Sequence, residues 1–202
     1  TDPALTIPAD YSVNADADCS AVITPSVTSL DQAQESSSTS SPGGSGVPVP
    51  DPGDTWYQSF TAGQTGALTS FSFYSNGALS GNANVTIRSG EGIGGTALNT
   101  GVWTIDGTVV NNWITYDLTG GPSIVAGDIY SIQLEAGSFN GGGFIGTGTN
   151  ADLYAGGQFF RDGYGIYGDL KFRTYVSTCV PDATTYDVYC TTLSSSSQVN
   201  GV

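Results

Sequence analysis

Apolar and polar residues alternate one by one through much of this chain. In the run from Asp169 to Val176, Leu170, Phe172, Thr174 and Val176 share one face and Lys171, Arg173 and Tyr175 the other, the period of a strand with one buried side. The same spacing places Val85 with Ile87, and Tyr130 with Ile132 and Leu134, on single apolar faces, as a two-sheet sandwich requires. The pattern predicts at least seven strands: Trp56 to Thr61, Leu68 to Tyr74, Ala83 to Arg88, Leu98 to Ile105, Trp113 to Leu118, Ile129 to Glu135 and Leu170 to Val176. Gly, Asn and Asp clusters separate them, and no segment has a convincing helical period. The predicted architecture is all-β, a jelly-roll-like β-sandwich over residues 54 to 176.

Ahead of it, Ala4 to Ile7 and Ala21 to Val27 read as two short strands around the acidic turn from Asn14 to Asp18. Residues 31 to 53 change character. Ser36 to Ser41 is hydroxyl-rich, and Pro42-Gly43-Gly44 and the proline-spaced run from Val47 to Pro52 follow. Such a stretch buries little and favours extended backbone, so a linker or long surface loop is predicted. Residues 177 to 202 form a cysteine-containing tail. Because two strands cannot bury a core alone, this tail and residues 1 to 50 are candidates to form one module together, with the sandwich inserted between them.

Four Lys and Arg against eighteen Asp and Glu give a net charge of −14, which repels nucleic acid and anionic bilayers. Neither is expected as a partner, and no apolar run approaches a membrane span. Twenty-nine glycines and few lysines describe a secreted, repeat-type protein better than a cytosolic enzyme. No basic-then-apolar signal segment opens the chain, and with no Met anywhere, residue 1 is expected not to be a translation start. Among the cysteines, Cys179 and Cys190 are spaced for a local disulfide in an oxidising compartment. Cys19 is then free, joined to a neighbouring module, or partner to one of these two. Zinc is disfavoured, since the chain has no His and no short-range cysteine pair.

The absence of His also removes Ser-His-Asp and Cys-His catalysis. Of the glutamates Glu35, Glu91 and Glu135, Glu35 falls in the linker and nothing marks the others as a glycosidase pair. The chain is therefore expected not to be an enzyme. The most suggestive local feature is the aromatic cluster Tyr154, Phe159, Phe160, Tyr164 and Tyr167, interleaved with glycines and accompanied by Arg161, Asp162 and Asp169. Rings on a glycine-permitted loop can stack on sugars or on another protein while the charged groups bond hydroxyls. Alternatively the rings close one end of the core. Trp56, Trp103 and Trp113 carry the same two readings. Asp16, Asp18, Asp106, Asp128, Asp152 and Asp162 lie in or beside turns and offer the hard oxygens that Ca²⁺ takes. Aspartate is also an ordinary turn residue, and none of these falls in an EF-hand spacing.

Two stretches resemble known families. Leu5 to Ile23, through Pro8-Ala9-Asp10-Tyr11 and Asp16-Ala17-Asp18-Cys19, resembles the opening of a hyalin repeat, an immunoglobulin-like module of cell-surface adhesins abundant in Bacteroidetes. It departs from that pattern at Ile7, where many members carry a cysteine before the proline, so one usual disulfide of the family has no counterpart. Trp56-Tyr57-Gln58-Ser59-Phe60-Thr61-Ala62-Gly63, Ala126 to Ile132, Tyr154 to Gly157 and Asp169 to Val176 resemble a jelly-roll module of large secreted Bacteroidetes surface proteins. The resemblances imply an extracellular adhesin or filament segment at the cell surface, partnered by neighbouring modules or subunits. A carbohydrate-binding module reading surface glycans is the rival expectation, and a glycan-cleaving enzyme a weaker third.

Overall fold

The computed structural model describes residues 26–36, 46–47, 52–146, 152–166 and 168–179. The chain divides into two units, Val27–Thr178 and a second comprising Thr1–Ser26 with Cys179–Val202. The second falls almost wholly outside the described residues, and the described strands belong to the first, apart from the terminal residues Ser26 and Cys179. The hyalin-like stretch, Cys19, Cys190, the side chain of Cys179 and Tyr167 all lie outside the described residues.

The elements are β1 Ser26–Gln34, β2 Gly46–Val47, β3 Thr55–Thr61, β4 Gly66–Ser89, a 3₁₀ turn Gly92–Gly94, β5 Ala97–Val110, β6 Trp113–Asp117, β7 Ser123–Ile124, β8 Ile129–Ile145, β9 Phe159–Arg161, β10 Tyr164–Ile166 and β11 Phe172–Cys179. The all-β sandwich expected from the alternation is present. β1 crosses the boundary drawn at residues 30 and 31, because Asp31 to Gln34 continue it and it pairs with β11. No helix among the described residues is long and apolar enough to cross a membrane.

Both layers are built on β4. Its first half pairs antiparallel with β11 on one side and with β6 and β7 on the other. Its second half pairs with β5 and β8, and β8 continues through β3 and β9 to β10. Leu68 to Tyr74 and Ala83 to Arg88, predicted as separate strands, are thus parts of one 24-residue strand. The glycines between them read as turn signals but serve as bends. Gly77 and Gly81 adopt φ of 84° and 138°, and the pairing of β4 with β8 shifts register between Asn76 and Leu79 and between Asn82 and Ala83, as bulged strands do. β8 bends with it and so runs past Glu135, where the alternation predicts its end. A Cβ on Gly142 would lie 2.1 Å from the Asn76 carbonyl oxygen and one on Gly81 1.9 Å from that of Ser138, so only glycine permits this approach of the two backbones.

The core lies between the layers. Phe71 and Phe73 of the first half of β4 meet Trp103 of β5 at centroid distances of 5.4 and 6.3 Å, and Phe73 meets Phe144 of β8 at 5.4 Å. On β11 and the residue before it the alternation is realised residue by residue: Phe172, Thr174 and Val176 are buried, while Lys171, Arg173 and Tyr175 are half-buried on the outer face. That outer face explains Trp113. Its ring packs edge-on to Tyr74 at 5.4 Å, and Arg173 reaches across the small Ser72 to place its guanidinium 4.0 Å from the Trp113 centroid. The Lys171 ammonium sits 4.1 Å over Tyr74. Cation–π contacts at such sites contribute about 0.5–1 kcal/mol each. Trp56 and Trp103 are core residues.

Candidate contact surface at the β9–β10 hairpin

The run from Phe159 to Ile166 is a hairpin rather than a loop. Asp162 and Gly163 take φ of 50° and 81°, and Arg161 pairs with Tyr164 across them. Two successive positive φ values make the two-residue turn whose twist matches that of the flanking strands, and Asp-Gly is a favoured sequence for it. The turn is also tied down. Asp162 Oδ1 accepts the Thr55 N–H at 2.9 Å, the Asp162 N–H donates to the Thr55 carbonyl at 2.7 Å, and Arg161 Nη2 meets Asp54 Oδ2 at 2.7 Å. Strand alternation then sorts the rings. Phe159 is buried edge-on to Trp56 at 5.3 Å, Phe160 lies over Gly92 on the opposite face, and Tyr164 at the tip is 76% exposed. Beside the tip stands Ile93, itself 56% exposed, whose Cδ1 would lie 3.3 Å from a Cβ on Gly163.

Ile93 belongs to the glycine-rich connection between β4 and β5. The Gly90 N–H donates to the Ile129 carbonyl at 2.7 Å and the Gly92 N–H to Ser131 Oγ at 2.9 Å, fixing the connection over the outer side of β8. An open cleft of about 350 Å³ is lined by Thr61, Glu91, Ile129, Asp152, the stretch from Ala155 to Gln158 and Gly168. Its wall is backbone-rich for a steric reason: a Cβ on Gly157 would lie 2.0 Å from the Ser59 carbonyl oxygen.

Two polar groups hold that wall, the half-buried Tyr154 and the buried Asp169. The Tyr154 ring packs edge-on to Phe172 at 5.0 Å, and its hydroxyl donates to Gln32 Oε1 at 3.0 Å with the Thr61 carbonyl at 3.4 Å. Burial pushes its phenol up to about 12. Asp169, 2% exposed, accepts the Leu153 and Tyr154 N–H groups at 3.2 and 3.0 Å and the Gln58 Nε2 donor at 3.1 Å. Desolvation outweighs those donors and raises its pKa. Gln58 completes the arrangement by accepting the Leu170 N–H at 2.7 Å.

Of the residues singled out in the sequence, Tyr154, Phe159 and Asp169 therefore face inward. Arg161 and Asp162 brace the hairpin while staying partly exposed, and Tyr164 projects. Glu91, Ile93 and Ile129 join the surface without having been singled out as contacts. For Glu91 and Ile93 the signal is the run from Ser89 to Thr96, whose four glycines mark a connection able to fold back over a sheet, whereas Ile129 opens β8. Among the turn aspartates, Asp106 accepts from its own Thr108 hydroxyl and N–H, which lowers its pKa. Asp152 lines the cleft, Asp128 lies in the exposed turn before β8, and Asp16 and Asp18 are outside the described residues. No group of three His, Cys, Asp or Glu among the described residues is placed to hold a metal. Among the described residues the surface thus presents the exposed Tyr164 ring with Ile93 beside the turn, on a hairpin braced to Asp54 and Thr55. Neither a protein-family model nor a curated protein matches the chain.

Proposed function

We propose that this chain is a non-enzymatic segment of an extracellular bacterial adhesin or surface filament, acting as spacer and contact module. The observation that carries the reading is Tyr164, a largely exposed ring on a turn held by the Asp162–Thr55 and Arg161–Asp54 bonds. A ring held in place before contact loses little freedom on binding, so even a weak contact is productive when repeated along an array. The sandwich supplies the spacer, and the acidic composition suits a solvated external surface. Its partners would be neighbouring modules or subunits of the assembly. The cleft lined by Thr61, Gln158 and Gly168 favours a second reading, a carbohydrate-binding module, because Glu91 and Asp152 in its lining can accept hydroxyl hydrogen bonds while Ile129 offers an apolar wall.

The test is Tyr164→Ala, assayed for attachment to cells and to a glycan panel alongside thermal unfolding. Loss of an aromatic anchor is expected to weaken attachment by about 2 kcal/mol, roughly 30-fold, with the melting temperature nearly unchanged. Unaltered attachment would remove the reading. Loss of binding to soluble glycans would select the carbohydrate module, and release of reducing ends would select an enzyme.

A further inference from the structure

β1 lies at the end of the order β1-β11-β4 and begins at the boundary of the two units, the first of which starts at Val27. None of its apolar side chains is buried. Val27 and Leu30 are 51% and 49% exposed and Ala33 is half-buried, while the buried Gln34 closes on the N–H and carbonyl of Ser36 just past the strand. Its neighbour β11 buries Phe172, Thr174 and Val176.

β1 is held instead by polar bonds. Beyond its pairing with β11, Asp31 Oδ1 accepts the Gly63 N–H at 3.0 Å, the Gln32 N–H donates to Thr174 Oγ1 at 3.1 Å, and Glu35 meets Arg173 Nε at 2.6 Å. Water replaces such exposed or part-buried bonds at little net cost, and a segment with few buried apolar contacts opens ahead of the rest of its fold. One bond leads elsewhere. The Tyr154 hydroxyl donates to Gln32 Oε1 at 3.0 Å, and the Leu153 and Tyr154 N–H groups anchor the cleft wall on Asp169.

We infer that β1 is a releasable strap: it lifts from β11 while the sandwich stays folded, and it restrains the cleft wall through the Gln32–Tyr154 bond. The two openings are then linked, and the factor by which lifting β1 favours opening of the wall equals the factor by which opening of the wall favours lifting of β1. One shared hydrogen bond sets that factor at about five. The chain on the N-terminal side of Val27 continues directly into β1, so tension entering the unit from that side meets the strap before the core. The device goes beyond the adhesin reading, needs no ligand and does not involve Tyr164.

Hydrogen exchange of the full chain, resolved by amide, tests it. β1 amides are expected to exchange on the order of 100-fold faster than those of the β4–β8 pairing. Glu35→Gln, which removes the exposed partner of Arg173, should speed the β1 amides about three-fold more and leave the β4–β8 amides unchanged. Gln32→Ala should speed the Leu153 and Tyr154 amides about five-fold and Tyr154→Phe the β1 amides by the same factor, and the double variant should match either single one. β1 amides that exchange only together with those of β4 and β8, or a Glu35→Gln variant that speeds all of them equally, overturn the strap. Wall amides unmoved by Gln32→Ala, β1 amides unmoved by Tyr154→Phe, or a double variant in which the two changes multiply overturn the coupling and with it the inference.

Discussion

Alkaline titration of Tyr154 probes the joint that holds the cleft wall to the sandwich. Its hydroxyl joins Gln32 of β1 and Thr61 of β3, and its ring rests on Phe172 of β11. Burial moves the phenol from 10.0 to about 12, and nearby Asp31 and Asp169 push the same way. Between those two values the unfolded chain has released the proton and the native chain retains it, so raising the pH favours unfolding. The stabilisation is complete below 10.0 and is lost as pH rises through about 12. The interval corresponds to about 2.7 kcal/mol at full strength, and screening of a half-buried group reduces it to roughly 1–2 kcal/mol.

Tyr154→Phe keeps the ring and removes the titrating atom. At neutral pH the variant is expected to lose about 1 kcal/mol, the net contribution of one hydrogen bond. Across the alkaline window its stability should fall less steeply than that of the wild type. Denaturant unfolding at a series of pH values measures both effects, and phenolate absorbance at the same pH values locates the titration. Tyr57, whose pKa burial also raises, is common to both proteins and sets the background. An unchanged alkaline slope in the variant would refute the assignment.

Two further substitutions test the frame. Gln58→Leu removes the Nε2 donor to Asp169 and the acceptor of the Leu170 N–H; a loss of about 2–4 kcal/mol in urea unfolding is expected, and a loss under roughly 0.5 kcal/mol would show that the bonds are dispensable. Gly81→Ala combines φ of 138° with a Cβ 1.9 Å from the Ser138 carbonyl oxygen and is expected to cost about 2–4 kcal/mol, whereas Gly127→Ala, at φ 89° in open space, should cost only about 1 kcal/mol; equal losses would mean that the β4–β8 approach is not what selects glycine.

Alternation makes these strands legible because each buries one face, and it carries no information about which partner lies beside it. Leu170, Phe172, Thr174 and Val176 are all buried, as their spacing predicts. The length of β4 is not legible from the same pattern. Ser75-Asn76-Gly77 and Ser80-Gly81-Asn82 have turn composition, and a bend inside a strand needs the same backbone freedom as a turn between strands. The glycines from Gly137 to Gly143 on β8 carry the same ambiguity. It resolves only when the β4 glycines lie opposite, a pairing between segments some sixty residues apart.

The same limit applies to the surface. Five aromatics between Tyr154 and Tyr167 are visible as a cluster, but whether a ring points in or out depends on a one-residue register. That register is set by the Asp162-Gly163 turn and by the pairing of Tyr57 with Phe160. Once it is set, Phe159 must share the inner face with Trp56, and the turn places Tyr164 at the tip. Ile93 reaches that tip from the connection between β4 and β5, and nothing local to the aromatic cluster could announce it. The bonds that tie the turn to Asp54 and Thr55 join segments more than a hundred residues apart, so the bracing of the Tyr164 tip is a product of the fold and not of the local aromatic run; in the contact module proposed above, such bracing would lower the freedom lost at each contact.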